Sequence, residues 1–257
     1  MTTKRMIVST LVLILLASTS PAFAQLFPIS RGAKSPTRKV VAEKSIETPT
    51  AELAQKWLGE GNARFRVQQR RSPNSGLSRV RETAQNGQHP FVTILSCSDS
   101  RVPLEIVFDR GIGDIFVIRV AGNVVGDSEI GSIEYGVEHV GTPLLVVLGH
   151  TKCGAVTAAA THAHTAGQIT GIVEKIQPAV EKAKRDNPEI KDEELVKKAI
   201  VENVWGSMKK LMESSEIVRH CVKEKKLRIV GAIYDVETGE VEWLGEHADI
   251  TKMVGEH

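Results

Sequence analysis

Three short apolar runs separated by stretches of helical periodicity constrain the fold of this chain more than any other feature. They are rich in β-branched residues and lie at residues 91–95, 115–120 and 144–148. Their nearly continuous hydrophobicity is typical of strands buried on both faces, as in a parallel sheet. Segments such as 130–140 and 193–222 space their apolar residues three and four apart, which indicates helices. The sequence therefore predicts an α/β fold with a mainly parallel central sheet flanked by helices.

Two further segments complete the predicted fold. Residues 49–86 have helical spacing and indicate an N-terminal helical arm. The apolar runs 228–234 and 241–244 flank Glu237-Thr238-Gly239, which predicts a C-terminal β-hairpin. We assign residues 49–257 to a single α/β domain.

The first 24 residues differ from the rest of the chain. Two basic residues precede an apolar run at 6–17, and Ala22-Phe23-Ala24 then supplies small residues around a cleavage point. This pattern predicts a signal peptide at 1–24, a flexible linker at 25–48, and export to the periplasm or the extracellular space. An uncleaved membrane anchor is the alternative, but the apolar run is shorter than the roughly 20 residues of a spanning helix. We therefore expect no stable membrane anchor after cleavage.

The charge balance restricts the class of partner. The chain carries 33 Lys and Arg against 31 Asp and Glu, a formal net charge of +2, and the two signs are interspersed. Nucleic-acid-binding proteins use a basic field, which this chain lacks. We therefore expect no nucleic-acid partner and a small neutral or weakly charged ligand instead.

Reactive side chains follow two of the predicted strands. Cys97, Asp99 and Arg101 come directly after the first strand, and His150 and Cys153 after the third. In parallel sheets the ligand lies at the carboxyl ends of the strands, so these residues face one crevice. Two thiolates and an imidazole suit Zn²⁺, and three protein ligands leave the fourth position open, as in catalytic sites. Asp99 and Arg101 can form a bidentate pair that holds a carboxylate beside the metal.

Interpretations without a metal site also remain open for the same residues. A buried cysteine is often inert, and a histidine at a strand end is often merely hydrogen-bonded. In an oxidising compartment Cys97 and Cys153 could also form a disulfide, leaving Cys221 unpaired.

The motifs CSDSR at 97–101 and GHTKCG at 149–154 resemble those of the β-class carbonic anhydrases, over about residues 50–245. The resemblance implies one Zn²⁺ per chain on Cys97, His150 and Cys153, and an Asp99–Arg101 dyad. It implies an exported bacterial enzyme for the reversible hydration of carbon dioxide to bicarbonate and a proton by zinc-bound hydroxide. A homodimer or a dimer of dimers is also implied, with the N-terminal helices wrapping the partner subunit.

Pocket residues place the chain with the plant-like group of that family. Gln88, Phe116 and Tyr135 match that group's substrate-binding residues. The other group has tryptophan three residues before the first zinc cysteine, where this chain has Ile94. The resemblance therefore implies an open zinc site without the second bicarbonate site that inhibits the other group.

Two alternative functions remain on the sequence alone. One is a hydrolase of COS or CS₂ built on the same zinc site, since relatives with that activity share the ligands. The other is a non-enzymatic zinc or thiol-redox protein, which would have no use for Asp99, Arg101 and Gln88.

Overall fold

A five-stranded sheet forms the centre of the fold in a computed structural model, which describes residues 48–255. The strands are β1 Val92–Ser96, β2 Ile115–Arg119, β3 Leu144–His150, β4 Arg228–Tyr234 and β5 Val241–Gly245. Their order is β2-β1-β3-β4-β5, and only β5 runs antiparallel to its neighbour. The predicted α/β class and the C-terminal hairpin are thus confirmed. The predicted signal peptide and nearly all of the predicted linker lie outside the described residues.

Helices cover both faces of the sheet. They are α1 Ala51–Arg66, α2 Leu77–Asn86, α3 Leu104–Val107, α4 Asp127–Glu134, α5 Gly154–Ala160, α6 Ile169–Asp186, α7 Asp192–Ser214, α8 Glu216–Lys223 and α9 Ile250–Gly255. Side chains alternate between two cores along each strand: Leu95 and Val147 pack with α4 to α9, whereas Ile94 and Val146 pack with α1 and α3. None of these helices is long and apolar enough to cross a membrane.

The arm helix α1 is continuous and packs directly against the backbone that follows α3. Thr50 caps its first turn by accepting a hydrogen bond from the Leu53 amide at 3.2 Å. A Cβ atom on Gly61 would lie 1.8 Å from the Phe108 carbonyl oxygen, so only glycine allows this approach. Close packing of the arm on the domain therefore offsets the low helix propensity of Gly61.

Two of the predicted helices are interrupted. Residues 130–140 are not one regular helix, because α4 ends at Glu134 and a π-helical turn covers Tyr135–His139. The stretch 193–222 is divided at Ser215, which has extended backbone angles and caps α8. Its hydroxyl also donates to the Glu134 carboxylate at 2.6 Å. A tertiary hydrogen bond thus divides a helix that apolar spacing alone would continue.

The buried carboxylate of Asp109 connects the arm to the segment that follows α3. It is 0% exposed and accepts hydrogen bonds from the Arg64 side chain at 2.6 Å and from the amides of Arg71 and Ser72 at 3.0 and 2.8 Å. Burial raises the pKa of this carboxyl, but the hydrogen bonds from Arg71, Arg64 and Ser72 outweigh it, so that the pKa lies below its ordinary value.

Replacing Asp109 by asparagine is expected to lower the free energy of unfolding by about 1.5–3 kcal/mol at neutral pH, because charged hydrogen bonds are lost. A depressed folded pKa stabilises the fold above the unfolded value of about 3.9 and ceases to do so as the pH falls through the folded pKa. The difference between the two proteins in urea unfolding should therefore shrink at acidic pH.

A matched control is Asp186→Asn, which removes a solvent-exposed partner of Lys182. Its cost should stay below about 1 kcal/mol, as for exposed ion pairs. Equal stability of Asp109→Asn and wild type at neutral pH would contradict the role assigned to Asp109.

Candidate metal centre

Neighbouring parallel strands bring Cys97, His150 and Cys153 together. Ser96 of β1 lies opposite Leu148 of β3, so Cys97 and His150 emerge at the same edge of the sheet. Cys153 directly precedes α5. One ligand atom from each of the three residues lies within 4.8 Å of the other two, and the residues are 5%, 1% and 1% exposed in chain order. The predicted ligand set is therefore gathered in one buried cluster.

The His150 imidazole has one nitrogen in use and one unpartnered. Nδ1 lies 2.9 Å from the Thr151 carbonyl oxygen, to which it donates as the protonated nitrogen. Nε2 is buried and has no hydrogen-bond partner. A buried nitrogen with no partner is costly in a protein interior, whereas a metal ion would satisfy its lone pair. The arrangement fits a metal ligand oriented by its second nitrogen.

The two cysteine thiols shift each other's pKa in opposite directions. A hydrogen bond from Cys153 holds the pKa of the Cys97 thiol below its ordinary value. The same bond raises the pKa of Cys153, because a second thiolate beside the first would be repelled. The Gly122 amide also donates to the Cys97 sulfur at 3.2 Å. A divalent cation would favour ionisation of both sulfurs, so the donor set fits Zn²⁺.

Asp99 and Arg101 form the predicted bidentate pair. Arg101 Nε donates to Oδ1 at 3.0 Å and Nη2 to Oδ2 at 2.8 Å, and the Arg101 amide donates to Oδ1 at 2.9 Å. The Arg101 side-chain hydrogen bonds hold the pKa of Asp99 far below its ordinary range. Oδ2 lies 3.9 Å from His150 Nε2, so an ionised carboxylate oxygen borders the cluster.

Two of the three predicted pocket residues, Phe116 and Tyr135, contact each other, and the third, Gln88, is exposed. Phe116 is opposite Thr93, three positions before the carboxyl end of β2, or about 10 Å along the strand. Its ring centroid is 5.9 Å from that of Tyr135, which is 49% exposed. Gln88 is exposed between α2 and β1. The chain thus pairs the two aromatic rings, and the substrate-binding roles of all three residues stay predictions.

Sequence reasoning missed Arg119, a further residue that positions the cluster. Its Nε donates to the Cys97 carbonyl oxygen at 2.9 Å and its Nη2 to the Asp99 carbonyl oxygen at 2.5 Å. Arg119 ends β2, whose neighbour β1 leads into the loop with Cys97 and Asp99. Only its position at a strand end could have signalled this contact.

Comparison with known proteins connects this cluster to one family. Residues 92–241 match the family model described as carbonic anhydrase. The fold resembles a β-carbonic anhydrase of Aspergillus fumigatus with a TM-score of 0.63 and 27% identity, covering 79% of this chain and 95% of that one. The chain belongs to the β-class carbonic anhydrases. As a member of that family it is an enzyme, a lyase that catalyses the reversible hydration of carbon dioxide.

Other β-carbonic anhydrases and curated relatives are similar over most of their length. Carbonic anhydrase 2 of Mycobacterium tuberculosis is 37% identical over 190 residues, covering 72% of this chain and 89% of that protein. The carbonic anhydrase of Mycolicibacterium smegmatis is 35% identical over 204 residues, covering 78% and 96%. A structure of tetrameric β-carbonic anhydrases from Sordaria macrospora matches with a TM-score of 0.58 and 25% identity, covering 66% of this chain and 92% of that one. The alternatives of a COS or CS₂ hydrolase and of a non-enzymatic protein are therefore not favoured.

Proposed function

We propose that Cys97, His150 and Cys153 hold one zinc ion per chain, and that this ion serves the hydration of carbon dioxide. The observation that carries the proposal is the buried, unpartnered Nε2 of His150 beside two cysteine sulfurs. When bound, zinc supplies Lewis acidity and lowers the pKa of a coordinated water to provide the nucleophile. Two thiolate ligands donate more charge than imidazoles, so we expect activity to increase toward alkaline pH.

The Asp99 carboxylate can accept a hydrogen bond from a group bound at the cluster, and Arg101 fixes the orientation of this carboxylate. Because Arg101 binds both carboxylate oxygens, Asp99 is restrained from turning onto the metal. The remaining lone pairs of Oδ2, 3.9 Å from His150 Nε2, can accept a hydrogen bond from a water bound at the cluster. With zinc bound, the Asp99–Arg101 pair would orient that water and leave the metal accessible to it.

The test of this function is stopped-flow hydration of carbon dioxide against pH, with zinc content measured on the same sample. We expect about one zinc per chain and a rate that increases with pH. Full activity without zinc would contradict the proposed metal centre. Bound zinc without hydration would redirect the assignment to COS or CS₂.

We propose that a second copy of the chain completes the carbon dioxide pocket in a homodimer or a dimer of dimers. Within residues 48–255, β2 has a neighbouring strand on one side only, so its other edge presents unpaired backbone groups. Val117 on β2 is 36% exposed and Tyr135 nearby is 49% exposed. A partner docked on this edge would bring Gln88, Phe116 and Tyr135 toward a second cluster. The tetrameric relatives support an assembly of this kind.

The arm provides a second surface for the same partner. None of the residues of α2 is buried within the chain, and its Leu77 and Val80 are 72% and 43% exposed. Exposed apolar side chains on one amphipathic helix are typical of an interface. We therefore propose that α2 contacts the partner subunit.

The variant Val117→Lys is expected to weaken the dimer about fivefold or more, because loss of a central apolar interface residue costs more than about 1 kcal/mol and an edge lysine opposes strand pairing. Activity should fall with the dimer while zinc content stays near one per chain. Sedimentation over a range of concentrations gives the dissociation constant.

The matched control is Ile169→Lys, a similarly exposed apolar residue on α6. It should leave both assembly and activity unchanged. A fully active monomer of Val117→Lys would contradict the proposal that the pocket is completed by the partner.

Export is proposed from the sequence of residues 1–24 alone. The expected result is that the mature protein, recovered from the periplasm or the medium, begins at Gln25 in a mass measurement. An intact N-terminus on a membrane-bound protein would favour the anchor alternative.

A further inference from the structure

The turn that follows β2 has an unusual backbone. In the tight turn Ala121–Asn123, two successive residues, Gly122 and Asn123, have φ angles of 69° and 45°. Left-handed conformations are accessible to glycine and tolerated by asparagine, but two consecutive residues in this conformation are energetically unfavourable. Such a turn persists only where its surroundings determine it.

Two side chains of α7 hold this turn. Asn203 Nδ2 donates to the Gly122 carbonyl oxygen at 2.7 Å, and Ser207 Oγ donates to the Asn123 carbonyl oxygen at 2.9 Å. The two residues are one helical turn apart, so they share a face of α7. They are 3% and 5% exposed. The hydrogen bonds join residues that are 81 and 84 positions apart in the chain.

The same turn contacts the metal cluster. The amide of Gly122 donates to the Cys97 sulfur at 3.2 Å. Asn203 thus binds the carbonyl of the same residue whose amide donates to Cys97, and glycine has no Cβ atom to restrict its backbone conformation. A Cβ atom at this position would lie 2.7 Å from Ile176 Cδ1, which excludes other residues without repacking. α7 is therefore connected to the cluster through one flexible residue.

We propose that Asn203 and Ser207 are positioning residues for the Cys97 thiolate, acting through the Gly122 amide. The inference rests on the proposed zinc site and extends it to α7. A hydrogen bond to a thiolate draws electron density from sulfur, so it sets how strongly that sulfur donates to the metal. Outer partners that orient metal ligands in this way typically change affinity or activity by about 10–100-fold when removed.

The composition of α7 supports a specific role for the pair. Its other buried side chains along this part of the helix are apolar, among them Ile200, Val204 and Leu211. Polar groups in such a face are costly unless their hydrogen bonds are made. The hydrogen bonds that offset the burial of Asn203 and Ser207 are made to two carbonyls of the turn whose Gly122 amide donates to Cys97.

The test uses Asn203→Leu and Ser207→Ala with two readouts that do not depend on turnover. Zinc affinity is measured by competition with a chelator, and the sulfur-to-cobalt charge-transfer absorption is recorded on the cobalt-substituted protein. We expect zinc to bind about 10–100-fold more weakly in both variants and the absorption band to shift. Ser207→Thr retains the hydroxyl, and its extra methyl group can enter the cavity of about 380 Å³ that Ser207 borders. It should restore both readouts.

The matched control is Asn62→Leu. Asn62 is 5% exposed and donates to the Val107 and Gly239 carbonyls, in the core on the opposite face of the sheet. This variant should lose stability but retain the zinc affinity and the cobalt spectrum of the wild type.

The possible failures are distinguishable. Unchanged affinity and spectrum in Ser207→Ala would overturn the role of α7 while leaving the zinc site intact. Wild-type protein that binds no zinc would instead overturn the proposed function. Should Asn203→Leu fail to fold, the comparison of Ser207→Ala with Ser207→Thr decides the question.

Discussion

Cys153→Ser is expected to remove zinc from the protein and to reduce carbon dioxide hydration to the uncatalysed rate. A serine hydroxyl stays protonated near neutral pH and cannot replace a thiolate as a zinc ligand. Removal of a residue that only orients a metal ligand typically weakens metal binding by up to about 100-fold. Loss of a direct ligand should weaken zinc binding by more than that. Zinc content and stopped-flow rates on the same sample measure both effects.

The third cysteine provides the control. Cys221 lies on α8 and is 6% exposed, so Cys221→Ser makes the same chemical change in an equally buried setting. It is not part of the cluster formed by Cys97, His150 and Cys153. We expect it to retain about one zinc per chain and full activity. Retention of zinc and activity by Cys153→Ser would refute the proposed ligand set.

Asp99→Asn is expected to lower kcat by about 10²–10⁴-fold while zinc content stays near one per chain. The amide has nearly the same shape but cannot accept hydrogen bonds at both terminal atoms, so it no longer orients the proton-bearing group at the cluster. The size of the effect follows from the contribution of a positioned proton acceptor. Stopped-flow kinetics with parallel zinc determination separates this role from a loss of metal.

Titration of Asp99 is not expected to shape the pH dependence of the reaction. Because the Arg101 hydrogen bonds hold the pKa of Asp99 far below its ordinary range, the carboxylate remains ionised across the assay. Its titration therefore contributes nothing between about pH 6 and 9, where carboxyl groups of ordinary pKa are already ionised. Asp99 itself should therefore add no titration step to the wild-type pH profile over that interval.

The control is an exposed carboxylate that pairs with a residue between the proposed ligands His150 and Cys153. Glu237 pairs with Lys152, two residues after His150, and its side chain is 65% exposed. Glu237→Gln should change activity less than about twofold, since exposed ion pairs contribute little. A variant of Asp99 that lost zinc in proportion to activity would show that the carboxylate supports the metal site and not the reaction.

Apolar periodicity predicted the positions of the strands well and the helix ends less well. The expectation that the run 115–120 is buried on both faces was wrong, because β2 is an edge strand in which only Ile118 is buried. β1, β3 and β4 are buried along nearly their whole length, so their continuous apolar runs were a direct signal. The π-helical turn at Tyr135–His139 and the break at Ser215 carried no such signal. The break at Ser215 coincides with a hydrogen bond from Ser215 to Glu134, which lies 81 positions away in the sequence.

The sequence by itself determined the α/β class and the reactive cluster. Cys97 and His150 directly follow or end predicted parallel strands, and such ends meet at one edge of a sheet, so the sequence assigns both residues to that edge. Their close approach also requires β1 to pair with β3, which only the structure shows. The Asp99–Arg101 pair is local, since its members are only two positions apart. These features depend on short-range spacing and on a general rule of topology.

Only the tertiary structure decided which outer groups hold the cluster and where the aromatic residues lie. The contacts of Gly122 with Cys97 and with Asn203 join segments 25 and 81 positions apart, and no periodic pattern encodes them. Phe116 lies on β2, and the order of the strands makes β2 an edge. That order is set by the burial of all the strands and helices together, which no single segment of the sequence contains.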